Sequence, residues 1–108
     1  MNELIIYKNE LKNSNPARYK VIGIISRLIL STELFRKNED IIDFLKYIIE
    51  TEFKEYVIAS RTLIVARTVR VIDELSENEY LNCKRKLYKY IDSRITQPNK
   101  KNTFDGWL

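Results

Sequence analysis

A chain of 108 residues with a net charge of +4, 44% hydrophobic and 31% charged, has the balance of one globular domain built around a single modest core. Two glycines and two prolines leave little material for turns that need positive φ, which disfavours β-sandwiches and parallel α/β folds and favours helices on short connections. The absence of histidine and a single cysteine exclude His-based triads, the usual zinc and haem ligand sets and an internal disulfide framework, and Gly23 and Gly106, standing alone, give no phosphate-cradling loop.

The first element is a short helix over residues 2–12, with Leu4, Ile5 and Leu11 facing inward. Its opening, MNELIIYKNE, lacks the basic-then-apolar layout of a signal peptide, and the longest apolar run falls well short of a membrane span. A cytoplasmic protein with no membrane contact is expected, and Cys83, read as a partly buried helical thiol, suits a reducing compartment. KNSNPAR then breaks the pattern. Asn15 is placed as the N-cap and Pro16 as the first residue of a second helix that runs to about Ser31. That helix would bury Val21, Ile24, Ile25, Leu28 and Ile29.

Asn38 reads as the next N-cap. Glu39, Asp40 and Asp43 complement a helix dipole better than they form an acid/base pair, so no catalytic residue is assigned and no enzyme is expected. From Asn38 to Leu75 nothing punctuates the pattern. One helix of that length would measure about 55 Å at 1.5 Å per residue, so a bend or break is expected near Glu52–Glu55. The alternative is a continuous helix paired with a second copy of the chain. YVIASRTLIVARTVRVI carries enough β-branched residues for a strand, but its length and the missing turn signals favour a helix. That helix is apolar almost all round, like the central one of a bundle.

Ser76 and Glu79 make S-x-x-E, a capping box that opens the last helix over residues 77–95. Tyr80, Leu87, Tyr88, Ile91 and Ile95 form its inner stripe, with Arg85, Lys86 and Lys89 opposite. TQPNKKN follows, with linker composition. The expected architecture is all-α: a bundle of four to five helices over residues 1–95, then a flexible linker and C-terminal interaction peptide over 96–108.

Two sets of cations invite a functional reading. Arg61, Arg67 and Arg70 sit among aliphatic residues, where an unpaired charge is costly. They are expected to form buried ion pairs with Glu50, Glu55, Asp73 or Glu74, to snorkel out along their alkyl stems, or else to line an anion or partner site. Arg18, Lys20, Arg27, Arg36 and Lys37 crowd one segment, and Arg85, Lys86 and Lys89 with their neighbours crowd another, while residues 39–55 run acidic. If both basic segments share a surface, they form an electrostatic footprint for DNA or RNA.

The chain ends KKNTFDGWL, where Phe104, Trp107 and Leu108 fall at i, i+3 and i+4 on one face of a helical turn. Such a turn is a plug for an apolar pocket. Burying each side chain is worth about 1.5–3 kcal/mol. Against ordering and association costs, such a plug is expected to bind at roughly micromolar strength, about −8 kcal/mol in all. KNTFDGWL resembles the PCNA-interacting peptide, or PIP box, by which replication and repair proteins dock on the ring-shaped sliding clamp. The resemblance puts Lys101 in the glutamine slot, Phe104 in the aliphatic slot, and Trp107 and Leu108 in the paired-aromatic slots. All but Trp107 depart from the usual residue type.

RTLIVARTVRVIDELSENEY is similar in layout to the helical part of GINS replication subunits, which points to the same process. What the resemblance implies is a non-enzymatic accessory or modulator of DNA replication or repair. It would need no cofactor or metal, and would partner a sliding clamp and, through its body, a polymerase, a nuclease or DNA. Two alternatives stand beside it. One is a helical scaffold, as a monomer or homodimer, whose Trp107 covers the open end of its own bundle. The other is a small basic nucleic-acid-binding regulator.

Overall fold

The computed structural model describes residues 2–13 and 16–96, and every regular element among them is an α-helix. Helix α1 spans Asn2–Asn13, α2 Arg18–Leu30, α3 Asn38–Ile49, α4 Glu55–Ile58, α5 Arg61–Asp73 and α6 Glu77–Thr96. The all-α expectation holds. The count among the described residues is six rather than four or five, because the stretch between Asn38 and Leu75 breaks twice.

In α1, Leu4 and Leu11 are buried, seven residues apart on one face. Ile5 was expected beside them, but it lies more than a quarter of a turn off that face and remains 47% exposed. Helix α2 starts later than the Asn15/Pro16 reading allows. The Lys20 and Val21 amides both reach the Ala17 carbonyl, which closes the first turn there. The Pro16 carbonyl instead accepts the Tyr80 hydroxyl at 3.1 Å, while Asn15 lies outside the described residues. The inner face is the expected one: Val21, Ile24, Ile25, Leu28 and Ile29 are all buried.

At α3 the cap is Lys37, with Asn38 the first helical residue. The Asp40 carboxylate accepts the Lys37 amide at 3.2 Å, so the end is closed by an acid of the first turn rather than by an Asn38 cap. The Asn38 amide is free for a longer-range task, described below. The helix ends on Glu50, a non-glycine residue in the left-handed region with φ 52°. This is the first break, slightly ahead of the expected position. The second follows the single turn of α4, where Ser60 caps α5 by accepting the Leu63 amide at 3.3 Å. The continuous-helix alternative is therefore ruled out.

Helix α5 is not the central, all-round apolar helix expected of it. Ile64, Thr68 and Ile72 form one buried stripe, while Thr62, Ala66, Arg70 and Asp73 are exposed. It packs mainly on α2, and α6 packs on α1 and α3. The capping box of α6 is present as read: Ser76 N–H donates to Glu79 at 2.8 Å and Glu79 N–H to the Ser76 hydroxyl at 3.2 Å. Tyr80, Leu87 and Ile91 of the expected stripe are buried, and Tyr88 and Ile95 half-buried. Phe35, Phe44 and Tyr90 close the core, with ring centroids of Phe44 and Tyr90 4.7 Å apart.

Candidate functional site

The basic residues divide into those the fold consumes and those it leaves outside. Arg18 is consumed. Its guanidinium donates to the carbonyls of Ile72 at 2.9 Å and Leu75 at 2.7 Å, stands 3.6 Å from the Glu77 carboxylate and lies over the Tyr80 ring at 4.5 Å. The carbonyls at and just past the end of α5 lack i+4 helical partners, Ile72 accepting the Leu75 amide at 3.2 Å instead, so a cation there adds a donor and complements the dipole. Lys86 is engaged as well, 3.3 Å from Glu50 and 5.6 Å over the Tyr47 ring.

Lys20, Arg27, Arg36, Lys37, Arg85 and Lys89 are exposed, Arg85 with a hydrogen bond to Asn82. The two basic segments are carried by different helices, α2 packed mainly on α5 and α6 packed on α1 and α3; Arg18 reaches the start of α6 at Glu77, ahead of the second segment.

The three arginines of α5 have three fates. Arg61 Nε donates to Asn38 Oδ1 at 3.1 Å, and its Nη1 to the Ile29 carbonyl at 3.2 Å and the Ser31 carbonyl at 3.4 Å. The carboxylate expected beside Arg61 is thus replaced by neutral oxygens, two of them at the end of α2, where the Ser31 carbonyl also accepts the Phe35 amide at 3.0 Å. Arg67 donates to the Tyr56 hydroxyl at 3.3 Å and sits 5.8 Å from that ring's centroid. Arg70 is exposed on the outer face.

Sequence reasoning did not find the concave features. An open groove of about 230 Å³ lies between α1 and the turn after α2. Buried Leu4, Leu28 and Leu34 form its floor, and exposed Glu3, Arg27 and Glu33 its rim. No periodicity links residues 3–7, 27–28 and 31–34, so nothing in the sequence announces that they meet. A shallower basin of about 610 Å³ runs past Lys37, Glu39, Glu55 and Ala59 at the α3–α4 junction.

Burial pushes the Cys83 thiol up to about 11, which keeps it protonated and unreactive at neutral pH. Burial also raises Tyr90, against the opposing effect of Arg94, whose guanidinium donates to its hydroxyl at 3.1 Å. Glu79 is held below the ordinary carboxylate range by the Ser76 amide and hydroxyl. Among the described residues no three Cys, Asp or Glu side chains gather as metal ligands, and no helix is long and apolar enough to cross a membrane. Lys101, Phe104, Trp107 and Leu108 lie outside the described residues. Comparison with protein-family models, curated proteins and solved structures finds no match to this chain.

Proposed function

We propose that this chain is a non-enzymatic accessory or modulator protein of DNA replication or repair that works in the cytoplasm. It docks on a sliding clamp through its last residues. In this reading Phe104, Trp107 and Leu108 fill the clamp's apolar pocket, and Lys101 takes the polar slot beside it. The helical body, through exposed Lys20, Arg27, Arg36, Lys37, Arg85 and Lys89, meets a polymerase, a nuclease or DNA.

One observation carries the reading. The described core is drawn from all six helices and runs from Leu4 to Ile91, whereas the three apolar anchors stand beyond a polar linker. The core's own complement of side chains lies ahead of the tail, which supports a separate role for the anchors.

The test is a titration of a labelled peptide of residues 96–108 against a sliding clamp, followed by fluorescence anisotropy. Saturation at roughly micromolar concentration is expected, with the signal lost on Phe104→Ala combined with Trp107→Ala. No saturation by about 100 μM, or no response to the double substitution, rejects the reading.

A second reading, a nucleic-acid-binding regulator, draws on the same exposed cations. It predicts DNA affinity that falls steeply with salt concentration, and falls again on charge reversal of Arg27 and Lys20.

A further inference from the structure

We propose that the groove between α1 and the turn after α2 is a docking site for a partner protein, and that it takes a peptide segment carrying one large apolar side chain flanked by lysine or arginine. The site uses neither the last residues of the chain nor the clamp reading.

Fixed walls are the first argument. On one side, Lys8 of α1 pairs with Asp92 of α6 at 2.8 Å, and Leu4, 2% exposed, anchors the helix in the core. On the other, the turn after α2 is held by several hydrogen bonds. The Ser31 hydroxyl accepts the Leu34 amide at 3.1 Å, and the Ser31 carbonyl accepts the Phe35 amide at 3.0 Å. The Arg61 guanidinium holds the Ile29 and Ser31 carbonyls from behind. A groove whose walls are already set spares its ligand the cost of ordering them.

Size and floor favour a side chain over a small molecule. Sites for drug-sized ligands measure about 300–1,000 Å³. A groove of about 230 Å³ over buried Leu4, Leu28 and Leu34 suits one apolar side chain presented by something larger. Apolar surface also continues beyond the rim. Ile6 and Leu30, 55% and 49% exposed, each stand three residues along a helix from a rim residue, Glu3 and Arg27, and so neighbour it on the surface. A peptide segment can cover these shoulders, which a small molecule seated in the groove leaves in water.

Charge selects the flanking residues. The rim carries two carboxylates, Glu3 and Glu33, against one guanidinium, Arg27, in a chain whose net charge is +4. All three are exposed, and none pairs with a charged group among the described residues. Glu3 and Arg27 have a local role, one in the first turn of α1 and the other in the last turn of α2, where each complements its helix dipole. Glu33 has none, since it belongs to no helix. A cation beside the incoming apolar side chain supplies what both carboxylates lack. The same carboxylates repel phosphate, which separates this groove from the cationic surface considered for DNA, although the two share Arg27.

The test is an NMR titration of the full chain, labelled in its leucine methyl groups, with the blocked peptide KKLFKK. Saturable shifts of the Leu4, Leu28 and Leu34 methyls are expected, with an affinity that falls as salt is raised. Glutamates in place of the lysines, or serines in place of the Leu-Phe pair, should abolish the response. Glu33→Gln should weaken binding several-fold, and Glu3→Gln with Glu33→Gln further still. Arg27→Gln should tighten it a few-fold, because a like charge is removed. Glu33 lies outside every helix, so its neutralisation should leave the methyl spectrum of the free protein unchanged. A peptide that fails to bind, or that binds while the floor methyls stay still, overturns the proposal. So does an acidic peptide or a DNA oligonucleotide that moves those methyls equally, or a set of charge variants without effect. Floor shifts that grow with protein concentration before any peptide is added mean that a second copy fills the groove, and overturn it as well.

Discussion

Arg61 and Asn38 lock each other across the two breaks of the chain. The Arg61 Nε–H donates to Asn38 Oδ1 at 3.1 Å, while Asn38 Nδ2 donates to the Ile58 carbonyl at 2.6 Å. The same guanidinium reaches back to Ile29 and Ser31, so one side chain joins the end of α2, the start of α3 and the α4–α5 turn. What it holds are backbone and amide oxygens where helices end, among them the Ile29 carbonyl in the last turn of α2.

Removing that side chain should therefore cost more than an ordinary surface arginine. Arg61→Met keeps the apolar stem and takes their donor from the part-buried Ile29 carbonyl and Asn38 Oδ1, a loss of about 1–3 kcal/mol. Asn38→Ala should cost about 1 kcal/mol, and the double variant less than the sum by about 1 kcal/mol, because either change breaks the same link. Urea denaturation of the four proteins checks this. Additivity would show that the two residues act apart.

Glu50 offers a test of backbone strain with its own control. A φ of 52° costs a side-chain-bearing residue about 1–2 kcal/mol that glycine avoids. Glu50→Ala and Glu50→Gly both lose the ion pair to Lys86, so their difference isolates the backbone. After glycine's greater freedom in the unfolded chain is allowed for, the glycine variant should be more stable by roughly 0.5–1 kcal/mol. Equal midpoints in thermal melts would mean that the turn adjusts.

Thr68 carries a buried hydroxyl, 1% exposed, that finds no hydrogen-bond partner in the middle of the α5 stripe. A valine fills almost the same volume without the desolvated polar atom. Thr68→Val should raise stability by about 1 kcal/mol, read as an upward shift of the urea midpoint at unchanged slope.

The buried thiol sets a direction for alkaline pH. Burial raises Cys83 from 9.0 to about 11, so the unfolded chain releases that proton first. Its contribution is complete below the ordinary thiol range, and is lost as pH climbs from there through about 11. Tyr80 and Tyr90, also raised by burial, act with the same sign. Stability should fall between pH 9 and 11, less steeply in Cys83→Val, with a residual slope from the tyrosines. An unchanged slope in the variant would place the thiol outside the effect.

The inner faces of α2 and α6 and the Ser76/Glu79 box were legible because burial imposes a period and capping leaves a local signature. The double break between α3 and α5 was not, since neither glycine nor proline makes it. Glu50 enters the left-handed region without the residue type that advertises it, and Ser60 looks like any serine inside a helix. Arg61 was rightly singled out as needing partners, but carbonyls carry no trace in the sequence, and acids were the natural guess. Arg18 was read as surface charge for the same reason. The groove depends on three segments meeting in space, which no spacing encodes.

The final prediction concerns the anchors of the tail. Under the clamp reading, Trp107→Ala in the full chain should weaken binding to a sliding clamp by at least about tenfold, since removing one buried anchor forfeits about 1.5–3 kcal/mol. The same substitution in the free peptide of residues 96–108 should cost as much, because the anchors would act without help from the helical body. Anisotropy titrations of the chain, the peptide and both variants against one clamp check this. Equal affinity of parent and variant would mean that the indole is no anchor, and the clamp reading would lose its largest contact.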